Sequence, residues 1–294
     1  MNTTQLCSAE SFDISKMIFS DPIEGSIPDS TIKYRRINIS YIYEDGSIGE
    51  LVIPTERIYS YGLSENVNQT TGKIDGYSLP LVLYNKNGPT PQEKQFVDTF
   101  NDITNTCKKY LLDEKDNLEL YDLEANDLKK FNPIYYKRDK GKIIEGSPPT
   151  LYAKLIVKKD KKDGNRIISK FYDEESGEGI IPLNILGKAC YTSSVIKFES
   201  IFLGNKYAMQ VKLYESNIKT IETGMKRLLP LPSIRPKAIS QVITNSSNIN
   251  PLDDDADDAD AGSLLGDDDD NIIDEVKEEV PKKIVRKIVK KVNK

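Results

Sequence analysis

The chain has 294 residues, with 41 Lys and Arg against 46 Asp and Glu, no histidine, and a formal net charge of −5. Without histidine the commonest general base and the commonest metal ligand are both missing, so no catalytic residue, no metal site and no cofactor is expected. No stretch approaches the ~18 apolar residues of a membrane helix, and the first residues have neither a basic start nor an apolar core, so neither a membrane span nor a secretory signal is expected.

Residues 33–43 (KYRRINISYIY) alternate, with Ile37, Ile39, Tyr41 and Tyr43 on one face. Glu44-Asp45-Gly46 turns the chain, and residues 49–53 return as the second strand of a hairpin. Residues 77–84 read as another strand, in which Pro80 marks an edge or a bulge. Phe96, Phe100, Ile103, Cys107 and Tyr110 recur at spacings of 4, 3, 4 and 3 and predict an amphipathic helix over 91–112. Residues 118–128 read as a second helix. Cys7, Cys107 and Cys190 are odd in number and lack any Cys-x-x-Cys, which fits buried, reduced thiols in an intracellular protein.

Residues 151–158 (LYAKLIVK) form one strand, Leu151, Ala153, Leu155 and Val157 facing one way and Tyr152, Lys154, Ile156 and Lys158 the other. Asp163-Gly164-Asn165 turns it into a strand over 166–172. A short helix over 181–188 ends at Gly187. A long hairpin follows, 189–203 and 206–215, joined at Gly204-Asn205. Its inner faces carry Ile196, Phe198 and Phe202 opposite Tyr207, Met209, Val211 and Leu213; its outer faces carry Lys197, Lys206, Gln210, Lys212 and Tyr214. The fold class is mainly β (α+β): an OB-fold-like antiparallel barrel with inserted helices and a charged, disordered tail.

Charge divides the chain further. Residues 1–232, the expected nucleic-acid-binding domain, hold 31 basic and 32 acidic groups. Within them, 1–131 carry a net −8 and 132–214 a net +6, so the basic surface belongs to the middle of the chain. The tail, 233–294, has an acidic block at 251–279 with 14 Asp and Glu against Lys277, then a basic block at 280–294 with seven Lys and Arg. Like charges that dense stay solvated, and a tethered polyanion can compete with a nucleic acid for a basic groove. In the basic block Ile284, Val285, Ile288, Val289 and Val292 share one helical face.

In the basic middle, aromatics interleave with cations: Tyr135, Tyr136, Lys137, Arg138 and Lys140, then Tyr152, Lys154 and Lys158, then Arg166, Phe171 and Tyr172, then Lys197, Lys212 and Tyr214. Single-stranded nucleic acid calls for this chemistry, since every base has a face to stack and cations follow the phosphates. Half-exposed strands also place lysines outward for solubility alone, and Phe198, Phe202 and Tyr207 suit a core.

Residues 132–155 (NPIYYKRDKGKIIEGSPPTLYAKL) and 182–216 (PLNILGKACYTSSVIKFESIFLGNKYAMQVKLYES) resemble the phage-T7-like single-stranded-DNA-binding proteins of nucleocytoplasmic large DNA viruses. The resemblance implies an OB-fold core that binds single-stranded DNA with little sequence preference, coating strands in viral genome replication, recombination or repair. It also implies an acidic tail that recruits viral replication proteins, and a place in the virus factory of the host cytoplasm, the nucleus or the virion. A homodimer is compatible with it. The tail here departs from that pattern by ending in a basic block with no aromatic. A histone-chaperone-like or scaffold protein working through the acidic run is the competing expectation. A carboxylate-dependent nuclease is disfavoured by the lack of any defined Asp/Glu motif.

Overall fold

The computed structural model describes residues 5–26, 33–68, 71–144, 146–160 and 164–221; the expected tail lies outside them. The chain opens with β1 (Met17–Phe19) and β2 (Ile23–Ser26), which both pair with β3 (Lys33–Ile42). The expected hairpin follows as β4 (Ile48–Pro54), turning at Gly46 with a φ of 77°. Next come β5 (Ile58–Ser60), β6 (Ser64–Val67) and β7 (Ile74–Val82), then helix α1 (Pro91–Asp113). After it lie β8 (Ile134–Tyr135), the small hairpin β9 (Arg138–Asp139) and β10 (Lys142–Ile143), and β11 (Thr150–Leu155). A second small hairpin, β12 (Val157–Asp160) and β13 (Gly164–Ile167), precedes β14 (Lys170–Asp173). Two 14-residue strands close the described chain, β15 (Cys190–Leu203) and β16 (Tyr207–Thr220).

The architecture is mainly β, one 12-stranded sheet with a single α-helix among the described residues. Five strands pair in a cycle: β5 with β7, β7 with β11, β11 with β16, β16 with β15, and β15 back to β5. Only the β11–β16 pairing in this cycle is parallel. Beyond β5, the free edge of β15 pairs with β4 and then β3, which ties the first hairpin to the last.

Helix α1 forms where the apolar stripe predicts it. Thr90 starts it with a capping box: Glu93 N–H donates to Thr90 Oγ1 at 3.2 Å, and Thr90 N–H to Glu93 Oε2 at 2.7 Å. Phe96, Phe100, Ile103, Cys107 and Leu111 are buried, and the Phe100 ring lies 4.9 Å from that of Phe198 on β15. Each such side chain stabilises the fold by about 1.5–3 kcal/mol. Tyr110, at the edge of the stripe, stacks on Phe19 at 4.2 Å. Burial pushes the Cys107 thiol up to about 12 and the Cys190 thiol up to about 11.

Several local expectations fail for identifiable reasons. Residues 118–128 are a chain of turns, not a helix. Leu118, Leu123 and Leu128 are all buried but sit five apart, off the helical period, Glu119 has a φ of 55°, and the Asp127 carboxylate accepts from Glu124 N–H. The strand expected over 151–158 breaks at Ile156, whose N–H donates to Ser169 Oγ at 2.8 Å, and β12 leaves to pair with β13 alone. The strand expected over 166–172 divides there into β13 and β14. The short helix near 181–188 is a 3-10 turn, Pro182–Ile185, with Gly187 at a φ of 64° just beyond it. In β15 a bulge between Phe198 and Ser200 reverses the alternation, so Ile201 and Leu203 join the side of Phe198, while Phe202 is buried on the other side against Tyr34, ring centres 5.1 Å apart.

Candidate nucleic-acid interface

Five lanes of the sheet lie side by side, β15, β5, β7, β11 and β8. One cross-strand row runs over all of them through Tyr191, Tyr59, Val82, Thr150 and Tyr135, each the Cα partner of the next. Partners directly opposite one another share a face. At a lane spacing of about 4.8 Å the row covers roughly 19 Å. The neighbouring row holds Tyr152 opposite Pro80, and Tyr61 stands two residues beyond Tyr59 on the same side. The Tyr59 ring meets that of Tyr61 edge-on at 5.2 Å and that of Tyr191 at 6.1 Å. The Tyr152 phenol is pushed above its ordinary value by its own partial burial and then by the phenols of Tyr135 and Tyr61. Tyr61, Tyr135, Tyr152 and Tyr191 are 59, 53, 48 and 41% exposed, enough for each to offer a ring to a flat ligand. The result is a tyrosine strip on one face of the strand cycle.

Of the residues singled out in the sequence, Tyr135, Tyr152 and Lys154 meet on this face, Lys154 two positions along β11 from Tyr152 and half-buried. Lys137, Arg138 and Lys140 are exposed on and around the β9–β10 hairpin, which Lys140 turns with a φ of 46°. Lys158 and Arg166 are exposed and directly opposite each other on the β12–β13 hairpin. Because β8 runs antiparallel to β11, the first hairpin extends past the Thr150 end of β11 and the second past its Leu155 end. Cations therefore stand at both ends of the strand that carries Tyr152.

Other expected site residues are buried, turned away or held in ion pairs. Phe171 is a core residue, 2% exposed, because β14 packs its ring inward beside β16. Lys212 is 3% exposed: β16 is an interior lane, flanked by Lys154 on β11 and Lys197 on β15. Lys197 is held by Glu50 Oε1 at 2.8 Å and Glu199 Oε1 at 3.5 Å. Burial works against the Lys197 charge, but the two carboxylates outweigh it and its pKa rises. Tyr136 points the other way from Tyr135: it packs against the core, and its hydroxyl accepts from Asn101 Nδ2 on α1 at 3.4 Å. Tyr172 and Tyr214 are half-buried on β14 and β16.

Sequence reasoning missed Tyr59, Tyr61, Tyr191 and Arg57. The spacing of Tyr59 and Tyr61, two positions apart, was an available signal of a shared strand face. Nothing local in the sequence joins them to Tyr191, which reaches them through β15. The Arg57 guanidinium lies 4.6 Å from the centre of the Tyr191 ring.

No group of three or more His, Cys, Asp or Glu among the described residues is arranged to hold a metal ion. None of their helices is long and apolar enough to cross a membrane, which leaves β-barrel insertion unaddressed. No solved structure matches the chain. It is similar to the Early 31 kDa protein of Frog virus 3 (isolate Goorha), 27% identical over 244 residues that make up 81% of this chain and 88% of that protein. It is also similar to the Uncharacterized protein 007R of Invertebrate iridescent virus 3, 25% identical over 188 residues, 62% of this chain and 38% of that longer protein. The family model described as Protein of unknown function (DUF2738) matches residues 10–261, and the chain belongs to that family, which has members in iridoviruses.

Proposed function

We propose that this protein binds single-stranded DNA without enzymatic activity, coating strands during viral genome replication, recombination or repair. The observation that carries the reading is the tyrosine strip, flanked along β11 by two exposed cationic hairpins. Stacking on tyrosine is indifferent to base identity, and an open sheet face admits a flexible strand more readily than a stiff duplex, which needs an element that enters a groove. The cycle of five strands supports an OB-fold-like core. In chain order they pair first with second, second with third, third with fifth in parallel, fifth with fourth, and fourth with first. In OB-folds the face of the second and third strands binds oligonucleotides, and here those strands are β7 and β11. Similarity to a viral protein named as early suits a role at replication. The tail would recruit replication proteins and compete with DNA, in a virus factory or the host nucleus.

The test is a titration of the full chain with single-stranded DNA, single-stranded RNA and duplex oligonucleotides over a range of salt. Single strands should bind well above duplex, and log K should fall with log salt by about 0.7 per phosphate contacted. Equal affinity for duplex and single strand, or no salt slope, would sink the proposal. Binding to histones in place of DNA would favour a chaperone instead.

A further inference from the structure

The Tyr191 end of the strip is closed by two ion pairs. Tyr191 is the Cα partner of Tyr59 on one side and of Lys219 on the other, so Lys219, Tyr191 and Tyr59 are consecutive in one row. Arg57 lies over the Tyr191 ring and grips Glu174 in a fork, Nε to Oε1 at 2.7 Å and Nη2 to Oε2 at 3.0 Å. Lys219 pairs with Glu175. Both glutamates come from the turn that follows β14, and all four side chains keep substantial contact with solvent.

That turn does not need its glutamate side chains. The Asp173 carboxylate accepts from Glu175 N–H at 3.1 Å, from Ser176 N–H at 2.8 Å and from the Ser176 hydroxyl at 3.0 Å. Gly177 then reverses the chain at a φ of 69°, and its N–H donates to Asp173 O at 2.9 Å. Glu174 and Glu175 are therefore available to meet the two cations beside the last ring of the strip. A planar guanidinium gripping a carboxylate with two parallel bonds can grip a phosphate in the same way. The fork is the stronger kind of ion pair, but both pairs keep contact with solvent, so an anion of matching geometry can exchange with the carboxylates.

We propose that Arg57 and Lys219 form a phosphate-binding site for single-stranded nucleic acid next to Tyr191, and that Glu174 and Glu175 occupy it in the free protein. The site rests on the reading of the tyrosine strip as a base-stacking platform. The carboxylates stand where backbone phosphates go. They neutralise the two cations, and Glu174 also pins the guanidinium over the ring that takes a base. An arriving strand exchanges phosphates for carboxylates, and the glutamates, left beside a polyanion, oppose it. The platform thus carries an internal competitor within the folded body.

The test compares the full-length chain with the double variant Glu174→Gln/Glu175→Gln, using a single-stranded DNA oligonucleotide over a range of salt. The same comparison is repeated in an Arg57→Ala/Lys219→Ala background. At low salt the Gln variant should bind about two- to tenfold tighter, as one or two ion pairs no longer compete. Its salt slope should also steepen. In the Arg57→Ala/Lys219→Ala background the gain should shrink to the plain repulsion between the glutamates and the strand, well below that seen in the parent. If the parent prefers single strands but the Gln variant binds identically, this inference fails and the platform stands. A gain of equal size in both backgrounds overturns it too, since it would reflect bulk charge alone. A parent with no preference for single strands overturns platform and competitor together.

Discussion

Tyr152 and Phe171 both belong to the aromatic and basic middle of the chain, yet one is 48% exposed on the strip and the other 2% exposed in the core. Their substitutions should separate binding from folding. A tyrosine side chain has about 200 Å² to bury, so roughly 100 Å² of Tyr152 is open. A base that covers it at about 25 cal/mol per Å² gains about 2.5 kcal/mol, within the ~1–3 kcal/mol found for base–aromatic stacking. Tyr152→Leu keeps an apolar side chain opposite Pro80 but removes the ring. It should weaken single-stranded DNA binding by about 5- to 150-fold and cost at most about 1 kcal/mol of stability. Phe171→Ala should cost about 3–5 kcal/mol of stability through the cavity it leaves, with unchanged affinity per folded molecule. Fluorescence anisotropy with a labelled oligonucleotide, alongside urea unfolding of each variant, gives both quantities. The reasoning is refuted if Tyr152→Leu binds like the parent, or if Phe171→Ala folds normally and loses DNA.

Two further outcomes follow from local geometry, and one from the thiols. Gly62 has a φ of 87°, and a Cβ there would sit 2.3 Å from the Lys188 carbonyl oxygen, so Gly62→Ala should cost about 1–3 kcal/mol and displace the adjoining Tyr61, read as a lower melting temperature with weaker DNA binding. The Lys197 pKa is raised in the folded state, so its ion pairs stabilise fully below the ordinary lysine value of about 10.4 and are lost as pH rises through the folded one. The gap in melting temperature between the parent and Lys197→Met should therefore narrow above about pH 10. Cys107 and Cys190, pushed up to about 12 and about 11, should resist alkylation at neutral pH until the protein is unfolded, as mass spectrometry would record.

Elements fixed by short-range pattern were legible in the sequence. The β3–β4 hairpin, α1 with its Pro91 start, and the β15–β16 hairpin all stand within a few residues of where alternation or helical spacing puts them. Legibility failed where a side chain elsewhere decides the backbone. Nothing near Ile156 announces that Ser169 will take its N–H, and the bulge that turns Phe202 to the opposite side from Phe198, where it is still buried, leaves the residue pattern of β15 unchanged. The site divided in the same way. Tyr135 and Tyr152 were visible because they lie among lysines, whereas Tyr59 and Tyr61 lie in an acidic half, and only the β5–β15 pairing brings Tyr191 to them. Lys197 and Lys212 were misplaced because alternation gives the side of a strand but not what covers that side.

The pairing of β15 with β3, β4 and β5 also bears on how the molecule comes into being. Pro54 meets Val195, a partner made about 140 residues later. At roughly 5–20 residues per second, a ribosome leaves the edge of β4 uncovered for about 7–28 s. During that interval the nascent first hairpin offers a bare row of amide and carbonyl groups to any neighbouring chain, the situation in which strands pair with the wrong partner. Contacts this distant in sequence also slow the final closure, because a long loop must be ordered before any of them forms. Synthesis of many copies on crowded polysomes would place such hairpins side by side, so the yield should depend on chaperone supply more steeply than for a protein of this size built from local contacts.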